Sequence, residues 1–128
     1  MATYETKPYF QMRAWDSVAG RMIWNHKEAL FRLYSEDPGV IFMQWIGHFD
    51  DSPERKKIFM GDICEVELIN DFGSASKYTS IVGFNAEKAQ FTYDIFDSKG
   101  ALFPGQKMGK TIVVGNQYEN PERLNKKD

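Results

Sequence analysis

Apolar and polar side chains alternate over residues 9–15: Phe10, Met12 and Ala14 fall on one face, Tyr9, Gln11, Arg13 and Trp15 on the other. A period of two with one cleanly apolar face predicts a strand half-buried on a core. Residues 16–20 are turn-forming, and Arg21, Met22, Ile23 and Trp24 then predict the returning arm of a hairpin. Residues 26–36 fit two patterns, a short helix carrying Leu30, Leu33 and Tyr34 or a poorly alternating strand. Asp37, Pro38 and Gly39 close that segment, since Pro then Gly at the two central positions suits a type II turn.

Beyond this turn, residues 40–49 predict a strongly apolar strand and residues 50–57 a charged connection containing Pro53. Residues 57–70 predict a strand pair or one bent strand broken at Gly61 and Asp62, with Cys64, Val66 and Leu68 opposed to Glu65 and Glu67. Residues 71–76 read as a loop, residues 78–84 and 89–96 as a hairpin, 97–100 as a turn and 103–105 as the opening of a further loop. A last strand is expected over residues 111–114 and a single helical turn over 121–124. Many short strands between turn signals, with little helix, predict a mainly β domain built as a small barrel or sandwich; barrel closure would remove exposed strand edges.

The length of 128 residues supports one hydrophobic core. We therefore expect one domain, with residues 1–8 as a polar arm, 9–124 folded and 125–128 a polar tail. An aromatic fraction of 15% reinforces the strand reading and leaves rings over for an interface. The net charge of −2 is evenly mixed: residues 1–60 hold 8 basic and 8 acidic side chains, residues 61–128 hold 8 and 10. Strong non-specific nucleic-acid binding, which needs a concentrated positive face, is disfavoured. Neither an apolar signal core at the start nor an apolar run near the roughly 20 residues that span a bilayer is present, and a reducing cytoplasm is expected.

Reactive groups are sparse. His26, His48 and Cys64 are far apart and lack metal-ligand spacing, so no metal, cofactor or catalytic residue is expected. Cys64 sits in an apolar run and reads as a small core residue. Asp50 and Asp51 beside His48 form the best acid cluster, but their turn-like surroundings predict a solvated loop. Gly109, Lys110 and Thr111 mimic the end of a phosphate loop; Pro104 stands where its first glycine is required, and a strand follows where a helix is needed. Arg55, Lys56 and Lys57 form the one basic run and read as a solvated face.

Three segments carry a family resemblance. Phe10-Gln11-Met12-Arg13-Ala14-Trp15-Asp16 resembles the amino-terminal F-R-A-W-D signature of the YopX-like phage proteins, with Gln11 and Met12 inserted after Phe10. Met43-Gln44-Trp45-Ile46-Gly47 and then Lys57-Ile58-Phe59-Met60-Gly61-Asp62-Ile63 resemble their central M-Q-Y-T-G and K-E-I-Y-E-G-D-I signatures. Val114-Gly115-Asn116-Gln117-Tyr118-Glu119-Asn120-Pro121-Glu122 resembles their carboxy-terminal I-G-N-I-Y-E-N-P-E. Residues 71–110 match nothing in the pattern. The resemblance implies an SH3-like barrel, here with an N-terminal β-hairpin extension, and a bacteriophage or prophage origin; it implies little about activity.

The signatures themselves read as structural corners. Arg13 and Asp16 would pair around a turn, Gly61 and Asp62 would mark a barrel bend, and Asn120 would cap a helical turn started by Pro121. The expected function is non-enzymatic: an accessory protein binding a host or phage protein in the bacterial cytoplasm and modulating or inhibiting host machinery. Candidate partner-binding residues are Trp24, Arg55, Lys56, Lys57, Phe72 and Tyr78, with the surface centred on residues 71–110. Self-association stays open, and no membrane partner is expected. The alternatives are a small-barrel nucleic-acid module using aromatics and a basic rim, and, less favoured, an enzyme built on His48, Asp50 and Asp51.

Overall fold

The computed structural model describes residues 10–69, 72–95, 101–102 and 108–125. Its elements run β1 (Met12–Asp16), β2 (Arg21–Ile23), α1 (His26–Tyr34), β3 (Val40–Phe49), β4 (Lys57–Phe59), β5 (Asp62–Ile69), β6 (Ala75–Asn85), β7 (Gln90–Ile95), β8 (Ala101–Leu102) and β9 (Met108–Asn116), then a short 3-10 helix (Pro121–Asn125). The strands form antiparallel sheets of order β2-β1-β3-β4 and β8-β7-β6-β5-β9. The protein is mainly β, with the sheets curled into a half-barrel. The expectations for residues 1–9, 70–71, 96–100, 103–107 and 126–128 lie outside the described residues.

Two apolar clusters form the core, one within the first sheet and its helix and one between the two sheets. Met12, Ala14 and Ile23 bury against Ala29 of α1, with Leu30, Val40 and Phe42 packed around them. Ile46, Ile58, Cys64, Val66, Val82 and Tyr93 form the second cluster. Strand β3 serves both, its pairing shifting between Trp45 and Phe49, where Gly47 takes φ 88°.

The ambiguous segment is helical because its end is held from outside. Asn25 Oδ1 accepts from the Glu28 amide at 3.0 Å, and Arg32 in the last turn reaches Asp16 Oδ2 at 2.9 Å as well as Asp37. Asp16 also accepts from the Val18 and Ala19 amides, each at 3.0 Å. The Ala19 amide, then Arg32, hold its carboxyl below the usual range. The expected Arg13–Asp16 pair is therefore wrong. Neighbours in sequence on one strand separate, and each charge finds a partner on another element.

Asp50 corrects a second expectation, for it is 2% exposed rather than solvated. One oxygen accepts from the Ser52 hydroxyl at 2.6 Å, the Ser52 amide at 3.2 Å and the Lys56 amide at 2.8 Å; the other accepts from the Val113 amide at 3.0 Å. Asp51 is exposed, yet its Oδ2 accepts from the Thr111 amide at 2.8 Å and its own amide donates to the Thr111 carbonyl at 2.8 Å. β9 is the last strand of its sheet, so these contacts cover amides that would otherwise form an open edge. A turn-forming acid pair has become an edge clamp.

Candidate functional site

The seam between β4 and β9, the terminal strands of the two sheets, holds a cleft of about 590 Å³. Its floor is Arg13 and Asp62, 1% exposed each and joined Nη2 to Oδ1 at 2.7 Å. Arg13 belongs to the polar face of β1, predicted to meet solvent; it is buried because β4 and the start of β5 fold over that face. Gly61 makes this approach possible: its φ is 85°, and a Cβ there would lie 2.9 Å from Met43 Sδ. The bend delivers Asp62, whose second oxygen accepts from the Phe59 amide at 2.8 Å.

The Arg13 guanidinium sits against two rings, 5.2 Å from the Trp24 centroid and 4.8 Å from that of Phe59. Its Nη2 donates to the Met60 carbonyl at 3.2 Å, and its Nε, although buried, has no hydrogen-bond partner among the described residues. Burial pushes the Asp62 carboxyl above the usual range, and Arg13 and the Phe59 amide only partly offset it.

The far wall is built by the turn after β9. Asn116 Oδ1 accepts from the Tyr118 and Glu119 amides at 3.0 and 2.8 Å, while its Nδ2 donates to Glu119 Oε1 at 2.8 Å. Asn120 Oδ1 accepts from the Asn116 amide at 3.2 Å, so its side chain turns back to β9 and does not cap the following 3-10 helix as expected. Tyr118 stacks on Trp15 with centroids 5.7 Å apart, tying this wall to β1. Gly115 is needed for space: a Cβ would meet Asn120 Oδ1 at 2.5 Å and its Cγ at 2.8 Å. Gly115→Ala should therefore expel Asn120 from its place and lower stability by about 1–3 kcal/mol, the cost of overpacking. Thermal unfolding measures this, and an unchanged Tm would contradict the tight fit.

Of the residues expected at a binding surface, Trp24, Lys56 and Lys57 line the cleft. Trp24 is 58% exposed. Lys57 lies over the Trp45 ring at 5.3 Å and donates to Gln11; Arg55 lies over Phe49 at 5.7 Å, just outside the lining. Phe72 and Tyr78 are exposed on the other sheet's side and do not line it. Sequence reasoning passed over Arg13, Asp62, Gly115, Asn116, Glu119 and Asn120 as corner residues. The available signal was that all six fall inside the three signature segments, which the fold brings to one place.

The cysteine and the two histidines lie outside this cleft. Cys64 is fully buried and burial, then Asp62 and Asp50, push its thiol up, which disfavours the thiolate. His26 Nδ1 accepts from the Met12 amide at 2.9 Å, and His48 is exposed, its carbonyl accepting from Trp45 Nε1 at 2.9 Å. Among the described residues no group of three or more His, Cys, Asp or Glu side chains could hold a metal ion, and no helix is long and apolar enough to cross a membrane.

No curated protein matches the chain. It is similar in fold to the crystal structure of protein EF1440 from Enterococcus faecalis, with a TM-score of 0.58 and 16% identity over 90% of this chain and 97% of that one. The YopX protein family matches residues 9–125, a span that includes β1, the Gly61–Asp62 bend and the turn after β9. The chain belongs to the YopX protein family.

Proposed function

We propose that this protein is a non-enzymatic accessory protein of phage or prophage origin, which binds a host or phage protein in the bacterial cytoplasm and so modulates or inhibits host machinery. The observation that carries this reading is the cleft at the seam. It combines an exposed tryptophan, two lysines on one rim and a rigid buried Arg13–Asp62 floor, while the carboxylates of Asp50 and Asp51 are occupied by backbone amides. Exposed Trp beside a preorganised polar floor is the composition of an interface anchor.

Tagged protein and two variants, Trp24→Ala and the double change Lys56→Glu with Lys57→Glu, would be incubated with bacterial lysate. We expect the wild type to retain a protein that both variants lose, with the Trp24 change weakening binding about thirtyfold, as a tryptophan hot spot does. Retention of the same proteins by both variants would overturn the cleft as the site. Retention of DNA or RNA alone, with a steep salt dependence, would overturn protein binding in favour of nucleic acid.

A further inference from the structure

Arg13 carries an unspent donor. Its Nη2 is committed to Asp62 and the Met60 carbonyl, whereas Nε–H is buried without a partner among the described residues. Buried polar hydrogens are otherwise almost always satisfied, so an orphan beside a cleft calls for an acceptor. The ring over this guanidinium, Trp24, is more than half exposed and sits in the two-residue link between β2 and α1. It can move aside without breaking a strand ladder.

The charges around the cleft define the acceptor. The lining holds Arg13, Lys56 and Lys57 against Asp62 and Glu119, a surplus of one positive charge in a chain whose net charge is −2. At the floor the Asp62 carboxylate would repel a second anion, so a neutral carbonyl suits Nε there. An anion is favoured at the lysine rim. Glu119 on the opposite wall leaves room for one negative group and opposes a row of phosphates. Addition of a partner strand to β9 is also opposed, because Asp51, Asp50 and Asn120 already accept from its Thr111, Val113 and Asn116 amides.

We infer that the cleft takes an extended peptide segment of the partner with one acidic side chain: Lys56 and Lys57 hold its carboxylate, and Arg13 Nε receives a neighbouring backbone carbonyl once the Trp24 ring shifts from the guanidinium to pack on the bound segment. This rests on the cleft being the partner site, and it adds the recognised chemistry. The geometry makes Arg13 a binding residue as well as a structural one.

The full chain would be used to select binders from a random peptide library, and the recovered peptides would be titrated into isotope-labelled protein by NMR. We expect the peptides to share one Asp or Glu position, and conversion of that acid to its amide to weaken binding about tenfold, a loss typical of one charge pair. The Trp24 indole and Arg13 Nε–H signals should move, and binding should disappear in the double Lys→Glu variant and survive Lys56→Arg with Lys57→Arg. No recovered peptides, equal affinity for acid and amide forms, or stationary Trp24 and Arg13 signals would overturn it. Should lysate capture still depend on the cleft variants, only the acidic recognition falls; capture indifferent to them removes the site as well.

Discussion

Asp62→Asn is expected to destabilise the fold by about 3–5 kcal/mol, because it leaves the Arg13 guanidinium charged, buried and without its counter-ion. Arginine has no escape by losing its proton. Arg13→Met is expected to be milder at low pH, since the Asp62 carboxyl, already pushed up by burial, can become neutral. The sign follows: a carboxyl whose folded pKa lies above its unfolded value binds its proton more readily in the fold. Arg13→Met should therefore gain stability as pH falls through that folded pKa, and lose that gain as pH rises again through it. Asp62→Asn should show no such recovery from this site. The double change Arg13→Met with Asp62→Asn removes both charges together and should cost far less than the sum of the single changes. Urea unfolding at several pH values gives all four corners of the cycle; additive losses would show that the pair is not energetically coupled.

Asp50→Ala should cost about 3 kcal/mol, as it strips acceptors from the Lys56 and Val113 amides and from both groups of Ser52. Burial alone would raise the Asp50 carboxyl, but the Ser52 hydroxyl and the amides of Val113, Lys56 and Ser52 outweigh it and hold the group low. A depressed folded pKa contributes stability that is complete above the unfolded value, about 3.9 for Asp, and is lost as pH falls through the folded value. The wild type should thus lose stability in that acid window, and Asp50→Ala should lose less there because this contribution is already gone. The variant also uncovers β9, so we expect concentration-dependent association in light scattering. A variant that unfolds like the wild type across the acid range and stays monodisperse would refute the clamp.

Much of the strand architecture was legible because alternation has a fixed period. Residues 40–49 were expected as the strand observed, Cys64 and Val66 face the core as their register required, and the bend falls at Gly61. The short helix is not legible locally because Leu30, Leu33 and Tyr34 do not make a decisive stripe; Leu33 and Tyr34 are exposed. Local rules also mistook purpose. Asp50 carried the marks of a turn former, and it does stand in a turn, but the strand that uses its second oxygen is more than sixty residues away. Arg13 alternated as an exposed residue, and alternation is blind to a later segment covering the polar face.

The partner-surface expectation shows the same division. Trp24, Lys56 and Lys57 could be proposed from residue type, yet nothing local joined them to one another or separated them from Phe72 and Tyr78. A mainly β chain, the places where it turns, and membership of a family whose three signatures stand in order are all readable from the residues alone. What those signatures do emerges only from the folded arrangement. It set Arg13 on Asp62, turned Asn120 back to β9, and left a cleft where the three segments meet. The cause is range: turn preference and strand period act within a few residues, whereas an ion pair and a cleft are made by parts of the chain 49 to 109 positions apart, brought together by sheet curvature.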